Sequence, residues 1–337
     1  MKNLYISKYI RYRSSLLLIV IMFVIGGCSS IQPTNNDSSA SSSETTSEAN
    51  GEDTSSKTRT FTHKMGTIQV PEYPKRVIGL YVEDQLQALG VKPVMQWGSG
   101  GQTRSYLNLQ DVPVLDVSGG VNFEAVLSAD PDLIILFNDS LAVKGGYEQF
   151  SAIAPTYVFD DANENWRESL TTIGDLLQMS DQATEVIKQY DQQAADSART
   201  LQQAIGNETV ALLRIEQKGM LLYGGPSKGF TGPVLYGDLQ LQPDPLVREL
   251  AWEDYNKQIT METISELTSD HIFIVVGNQA EEQAEQLYTN PLWQNIPAVQ
   301  KNHVHEVDFL TWMSSGPIAN TLKIKQATEL LQNRNLQ

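Results

Sequence analysis

An uninterrupted run without proline or glycine, residues 181–205, constrains the fold of this chain more than any other feature. Its apolar side chains recur at steps of mostly three or four, which is the period of an amphipathic helix. They are Ala183, Val186, Ile187, Tyr190, Ala194, Ala198, Leu201 and Ile205. Ser180 precedes the run as a favourable N-cap and Gly206 ends it. A helix of this length spans roughly 37 Å, so it is long enough to cross between two lobes.

The chain before this run alternates short apolar strands with short helices. Residues 133–137 are consecutive apolar residues, which indicates a strand buried on both faces, as in a parallel sheet. Asn122 is a plausible N-cap for one of the helices. The predicted strands are residues 76–80, 94–97, 133–137 and 156–159, and the predicted helices are residues 83–89, 123–127 and 166–179. This alternation is typical of βαβ units.

The chain after the run repeats the alternation. The predicted strands are residues 209–215, 220–223, 271–276 and 304–307, and the predicted helices are residues 233–239 and 322–331. Residues 124–137 and 262–275 share one plan: a short amphipathic helix, an acidic residue and a buried strand. The sequence therefore predicts an α/β fold of two lobes with mainly parallel sheets, joined by one long rigid helix, with a ligand cleft between the lobes.

The lobes are predicted at residues 61–173 and 207–337, and the connecting helix at residues 174–206. The composition suits a folded body, since hydrophobic residues make up 41% and charged residues 19% of the chain. The formal charge of −16 argues against nucleic acid or anionic lipid as a main partner.

The first residues have the pattern of a secretory signal. Four basic residues precede the apolar run of residues 16–25, which is too short for a comfortable membrane span. The sequence Val-Ile-Gly-Gly-Cys at residues 24–28 resembles the lipobox of bacterial lipoproteins, and Cys28 is the single cysteine of the chain. An ordinary secretory signal with an incidental cysteine is the alternative. The lipobox resemblance implies that residues 1–27 are removed and that Cys28 carries the lipid.

Residues 29–60 contain mostly Ser, Thr, Asn, Glu and Asp, which predicts a disordered tether. With Cys28, the segment 28–60 would hold the folded lobes at the outer face of the cell membrane. The absence of other cysteines suits a Gram-positive exterior. Removal of residues 1–27 also removes four basic residues and leaves a formal charge of −20.

Five stretches carry a resemblance to a known family. They are Pro-Lys-Arg-Val-Ile at 74–78, Ala-Leu-Gly-Val-Lys-Pro-Val at 88–94, Asn-Phe-Glu-Ala-Val-Leu at 122–127, Pro-Asp-Leu-Ile-Ile at 131–135 and Asn-Pro-Leu-Trp at 290–293. In this order they resemble the substrate-binding lipoproteins of ABC importers for iron–siderophore complexes. The resemblance extends over nearly all of residues 66–331. It implies a monomer that binds a ferric siderophore, docks on a permease with its ATPase, and has no catalysis, cofactor or directly bound metal.

The resemblance also implies one acidic docking residue on each lobe. The first matches Glu124, and the alternative for this residue is a solvated glutamate near a helix N-terminus. The second is expected within residues 231–236, where this chain has Pro233 and no glutamate. Asp238 lies nearby in the sequence.

Ligand-binding candidates follow from the chemistry of a bulky chelate that presents oxygen atoms. Arginine offers several fixed donors for oxygens, and aromatic rings cover apolar surface. The candidates are Tyr81, Trp97, Arg104, Tyr106, Arg214, Tyr223 and Trp312. For Arg214 the alternative is a structural pair with Glu216, and for Trp97 it is packing in the core. The scattered basic residues favour a hydroxamate siderophore over a catecholate, with haem and cobalamin as further alternatives.

Two other functions deserve comparison. Residues 225–229 match the Gly-x-Ser-x-Gly elbow of serine esterases, with Ser227 as nucleophile and later acids and histidines in hydrolase order. No oxyanion motif precedes it, and Lys228 would instead line the mouth of the cleft. His303 and His305 are expected on opposite faces of a strand, which argues against a carrier of free metal ions. A surface adhesin without a ligand is a third possibility.

Overall fold

The computed structural model describes residues 57–227 and 229–332, which fall within one compact unit spanning Thr54–Gln337. The predicted leader, Cys28 and the tether lie outside the described residues, apart from the last four tether positions. The predicted fold class is confirmed: two α/β lobes with mainly parallel sheets flank one long helix. The lobe boundaries proposed from the sequence stay a prediction.

The N-terminal lobe is built on short parallel strands. Its strands are β1 (Thr58–His63), β2 (Gly66–Pro71), β3 (Val77–Leu80), β4 (Gln96–Gly98), β5 (Val114–Asp116), β6 (Leu133–Leu136) and β7 (Thr156–Val158). Strands β3, β6 and β7 form a parallel sheet in that order, and β4 pairs in parallel with β5. A bridge between Ile78 and Met95 places β4 beside β3. The hairpin of β1 and β2 is antiparallel and was not predicted.

Burial on both faces explains the apolar runs of this sheet. Every residue of β3 and β6 is buried, as the sequence predicted for residues 133–136. The helices around the sheet are α1 (Glu83–Ala88), α2 (Phe123–Ser128), α3 (Gly146–Ile153) and α4 (Trp166–Leu176), with a 3₁₀ turn at Asp139–Leu141. Asn122 caps α2 as predicted, because its side chain accepts a hydrogen bond from the Ala125 amide at 3.1 Å.

The connecting helix α5 (Ser180–Ile205) is 26 residues long, and this prediction is confirmed. Its start differs by one position: Ser180 is the first helical residue, and Met179 occupies the cap without a side-chain bond. The apolar face of α5 packs against α4 and against the C-terminal helix. Its buried residues Tyr190, Leu201 and Ile205 belong to the hydrophobic core that both lobes share.

The C-terminal lobe contains one larger mixed sheet. Its strands are β8 (Thr209–Glu216), β9 (Gly219–Tyr223), β10 (Gln242–Pro243), β11 (Asn256–Ile259), β12 (His271–Val276) and β13 (Val304–Val307). The order is β11-β9-β8-β12-β13, with β10 paired to β8. Strands β8, β10, β12 and β13 run parallel, whereas β9 and β11 are successive antiparallel additions.

Short helices surround this sheet. They are α6 (Pro245–Leu250), α7 (Met261–Ile264), α8 (Glu281–Tyr288), α9 (Pro291–Gln294), α10 (Pro297–Gln300), α11 (Phe309–Trp312) and α12 (Pro317–Gln332), with a π-helical turn at Pro233–Asp238. Within the described ranges, no helix combines the length and the apolar character needed to cross a bilayer.

Helix α12 ties the two lobes together through buried polar contacts. Asp84 of α1 accepts hydrogen bonds from the Ile318 and Ala319 amides at 2.8 and 2.9 Å, so an acid of one lobe caps a helix of the other. Gly316 approaches this acid so closely that a Cβ would lie 2.4 Å from the Asp84 carboxyl carbon. Its φ of +150° also favours glycine.

Lys323 of α12 is fully buried and forms three hydrogen bonds. Its Nζ donates to the carbonyl oxygens of Phe230 and Ser314, both at 2.5 Å, and to Asn320 Oδ1 at 3.0 Å. One side chain therefore holds the loop that follows β9 and the loop that precedes α12.

We predict that Lys323→Met lowers the free energy of unfolding by about 3 kcal/mol, because it leaves three buried acceptors without their donor. The measurement is urea unfolding followed by circular dichroism. Lys325→Met is the matched control, since Lys325 is exposed on the same helix and its loss should change stability by less than about 0.5 kcal/mol. Equal stability of the two variants would contradict the prediction.

Candidate functional site

Aromatic residues of the N-terminal lobe gather at the carboxyl ends of its parallel strands. Tyr81 directly follows β3, Trp97 lies in β4, and Phe137 directly follows β6. The Tyr81 ring lies 4.8 Å from Trp97 in an edge-to-face contact and 4.7 Å from Phe137, measured between centroids. Parallel α/β sheets bind ligands at this edge. The structure thus brings the predicted residues Tyr81 and Trp97 together.

Arg104 lies behind this aromatic wall and is only 5% exposed. Its guanidinium is 3.7 Å from the centroid of the Tyr81 ring, and its Nη1 donates to the Glu83 carboxylate at 2.5 Å. Burial alone would lower the pKa of Arg104, but the nearby Glu83 carboxylate raises it above its ordinary value. Glu83 is 2% exposed and also accepts from the Trp97 amide at 2.6 Å. The Arg104 Nε has no protein partner.

The C-terminal lobe contributes Arg214, near the end of β8. Its guanidinium lies 4.7 Å from the Phe309 ring centroid, and its Nη1 is 3.3 Å from the Tyr223 hydroxyl. It also forms an ion pair with Glu216, so the structural pair weighed as the alternative is present. The side chain remains 21% exposed, and its buried Nε has no protein partner. Arg214 therefore keeps donor capacity for a ligand oxygen.

Two aromatic residues that the sequence analysis did not single out complete this wall. Tyr255, just before β11, lies 5.7 Å from Tyr223 and 5.3 Å from Phe230 between ring centroids. Burial raises the pKa of Tyr255, and the neighbouring Tyr223 and Tyr81 raise it further. Its buried hydroxyl has no protein partner. Both residues lie in irregular segments, so no periodic signal marks them in the sequence.

A cavity of about 390 Å³ opens between the two walls. Tyr81 and Phe137 line it from the N-terminal lobe, and Phe230 and Tyr255 line it from the C-terminal lobe. Outside this lining, the side-chain amides of Gln102 and Asn278 exchange hydrogen bonds from one lobe to the other. The cleft therefore lies between the lobes, as the sequence predicted.

Two predicted ligand residues lie elsewhere. Trp312 is 0% exposed; its indole nitrogen donates to Gln326 at 2.6 Å and its ring packs 4.7 Å from Phe273. The prediction that Trp312 faces the cleft is therefore wrong, because α11 places its side chain in the core. Tyr106 packs with Ile318 at the start of α12, and its hydroxyl is buried. Tyr106 is not among the residues that line the cavity.

The acidic docking candidates separate clearly by exposure. Glu124 lies exposed in the first turn of α2. Asp238 instead faces inward, where it accepts from Arg167 at 3.0 Å and from the Tyr190 hydroxyl at 2.7 Å. Pro233 begins the π-helical turn, and residues 231–236 contain no acid.

Glu262 is the acid that the sequence analysis missed. It is exposed in the first turn of α7, whose N-cap Thr260 accepts from the Thr263 amide, just as Asn122 accepts from Ala125 before Glu124. Each of the two helices leads into a buried central strand, β12 or β6. The internal repeat that starts at residues 124 and 262 was the signal, and it gives Glu262 the position that Glu124 has in the other lobe.

Three histidines converge at the start of β12 and β13. The His271 ring stacks on His303 at 4.5 Å and lies 5.6 Å from His305. The expected opposite orientation of His303 and His305 is wrong, because residues two apart share a strand face. Within residues 57–227 and 229–332, no group of three or more His, Cys, Asp or Glu is arranged to hold a metal ion. The His271 ring forms a hydrogen bond with the Glu208 carboxylate at 2.7 Å. Ser227, the nucleophile of the esterase hypothesis, is exposed in the loop after β9.

Comparison with known proteins gives one consistent family. The model of the periplasmic binding protein family matches residues 78–310. The chain is similar to a probable siderophore-binding lipoprotein of Bacillus subtilis, with 31% identity over 81% of this chain and 87% of the relative. It is also similar to an iron(3+)-hydroxamate-binding protein of the same organism, with 25% identity over 85% of this chain and 89% of the relative.

A solved structure agrees with these relatives. The SirA protein of Staphylococcus aureus, in complex with staphyloferrin B, superposes with a TM-score of 0.69 at 25% identity. The match covers 81% of this chain and 98% of that one.

We predict that Glu83→Gln lowers the free energy of unfolding by about 3 kcal/mol, because it leaves the Arg104 charge buried without its partner. Arg104→Met should lower the free energy of unfolding by a smaller amount in the Glu83→Gln variant than in the wild type. A double-mutant cycle measures this coupling. The exposed pair of Lys92 and Asp111 supplies the control, since Asp111→Asn should cost less than about 1 kcal/mol. Additive effects of the two buried substitutions would contradict the ion pair.

Proposed function

The chain belongs to the periplasmic binding protein family, and on this premise we propose that it captures a ferric siderophore outside the cytoplasm and delivers it to an ABC permease. Members of this family bind substrates and are not enzymes, so Ser227 is not a catalytic nucleophile. The observation that carries the proposal is the cleft itself. Aromatic walls of the two lobes face each other across it, Arg104 lies against the Tyr81 ring from behind, and Arg214, 21% exposed, lies against the Phe309 ring.

The charge balance of the cleft favours a hydroxamate siderophore. Glu83 neutralises Arg104 and Glu216 neutralises Arg214, so the described residues of the site offer hydrogen-bond donors without a net positive charge. A ferric tris-catecholate is strongly anionic, and its transfer into a site without surplus cations is costly. A ferric tris-hydroxamate core is neutral and needs donors for its oxygens, which arginine supplies. Catecholates, haem and cobalamin remain the competing ligands in a binding test.

The ligand contacts that we propose are those the structure brings to the cleft. From the earlier candidates they are Tyr81, Trp97 and Arg214, and the structure adds Phe137, Phe230 and Tyr255. Arg104, 5% exposed, and Tyr223, 1% exposed, support these residues from behind. Trp312 and Tyr106 are left out because their side chains pack away from the cavity.

Delivery requires a membrane location and a docking surface. We infer from residues 24–28 that Cys28 is lipidated after removal of residues 1–27 and anchors the protein to the outer face of a Gram-positive cell membrane. Glu124 and Glu262, exposed at equivalent positions of the two lobes, are the proposed contacts with basic residues of the permease. They replace the earlier expectation of an acid within residues 231–236.

We expect Arg214→Ala to raise the Kd for a ferric hydroxamate at least about tenfold, which corresponds to about 1.4 kcal/mol. The measurement is quenching of tryptophan fluorescence when the purified protein is titrated with ferric hydroxamates, ferric catecholates, haem and cobalamin. Arg199→Ala, an exposed change on α5, is the control and should leave the Kd unchanged. No quenching by any iron complex at concentrations on the order of micromolar would refute the proposed function.

We expect Glu124→Ala and Glu262→Ala each to reduce uptake of radiolabelled ferric siderophore by cells that express the protein, with the Kd of the purified protein unchanged. The reason is that docking and ligand binding use different surfaces of the molecule. Glu148→Ala and Glu266→Ala, exposed acids of the same two lobes, serve as controls. Unimpaired uptake by the double variant Glu124→Ala/Glu262→Ala would exclude these residues as docking contacts.

A further inference from the structure

The cavity between the lobes has an unusual chemical lining. Four aromatic rings surround it, those of Tyr81, Phe137, Phe230 and Tyr255. Besides the hydroxyls of Tyr81 and Tyr255, the polar side chains in its lining belong to the segment after β7 and offer acceptor oxygens: Asp161, Asn163 and Glu164. Among the described lining residues there is no Lys or Arg.

One acceptor of this lining, on Asn163, is buried, whereas the carboxylates of Asp161 and Glu164 are exposed. Asn163 is 7% exposed, and its side-chain oxygen Oδ1 is buried without a hydrogen-bond partner. Asp161 accepts only a local bond, from the Asn163 amide at 2.9 Å. In the described part of the chain, neither Asp161 nor Glu164 takes part in an ion pair. A buried acceptor without a partner calls for a donor from outside the chain.

The charges near the cavity make a cationic donor the best match. The nearest arginines of the cleft, Arg104 and Arg214, are already paired with Glu83 and Glu216. Asp161 is close enough to add to the rise in the pKa of Tyr255, after burial and the neighbouring tyrosines. The cavity therefore combines aromatic faces, which attract cations, with two carboxylates that no cation among the described lining residues neutralises.

We propose that this cavity holds a protonated amino group carried by the ferric chelate, so that the protein selects hydroxamate siderophores with a free amine. This inference rests on the proposed function. The ammonium donates to Asn163 Oδ1 and to the carboxylates of Asp161 and Glu164, while the aromatic rings cover its alkyl arm. The neutral iron–hydroxamate core then lies toward Arg214, which is partly exposed.

The test compares two probes that differ only in this amine. Ferrioxamine B is a linear ferric tris-hydroxamate with a terminal primary amine, and its N-acetylated derivative has the same core without the charge. We expect the wild-type protein to bind the amine form about tenfold more tightly by fluorescence titration, or about 1.4 kcal/mol. Binding of both forms with equal affinity, or a preference for the acetylated form, overturns this inference and leaves the proposed function standing.

Variants locate the source of the preference. Asp161→Asn/Glu164→Gln should bring the ratio of the two Kd values close to one by weakening only the amine form. Asp160→Asn/Glu168→Gln is the matched control: it removes two charges from the same segment outside the cavity lining and should keep the preference. Retention of the preference in the first variant overturns the inference. Failure of the wild type to bind either probe or any other iron complex refutes the proposed function and this inference together.

Discussion

Two adjacent buried carboxylates at the start of α1 hold this structure together. Glu83 accepts from Arg104 and from the Trp97 amide, and Asp84 accepts from two amides at the start of α12. Burial of an acid is costly unless its oxygens are bonded, and here each acid has two partners. Because the acids are neighbours on one short helix, the position of the cleft arginine and the attachment of the C-terminal helix are set by the same turn.

The contacts between the lobes differ in strength from one part of the structure to another. Helices α5 and α12 pack together behind the lobes, and Lys323 of α12 fixes the loop that carries Phe230. The exposed amide pair of Gln102 and Asn278 is a different kind of contact. Neutral hydrogen bonds that exchange with water contribute little net stability. This contact between the lobes can therefore break at small cost, whereas the buried polar contacts of α12 hold the lobes together.

The long-range architecture was accessible from sequence because it depends on periodicity. The pattern of residues 181–205 fits only a helix, and the apolar runs at 133–136 and 271–276 fit only buried strands. The site was accessible only in part, because its side chains come from segments without a period. Trp312 illustrates the limit: a residue just after a strand end can turn toward the cleft or into the core, and α11 decides this. Phe230 and Tyr255 enter the cleft through packing that no local pattern reveals.

The charge of the whole chain and the charge of the cleft point in the same direction. The chain carries a formal charge of −16, and both cleft arginines are balanced by carboxylates of their own lobes. A strongly anionic chelate would meet repulsion at a distance and no surplus cation on arrival. A chelate with a neutral core and a positive arm would be attracted at long range and would find Asp161 and Glu164 unneutralised. The arginines in this cleft therefore act as oriented hydrogen-bond donors rather than as a source of positive potential. The acids around them determine whether the cleft favours a cationic or an anionic chelate.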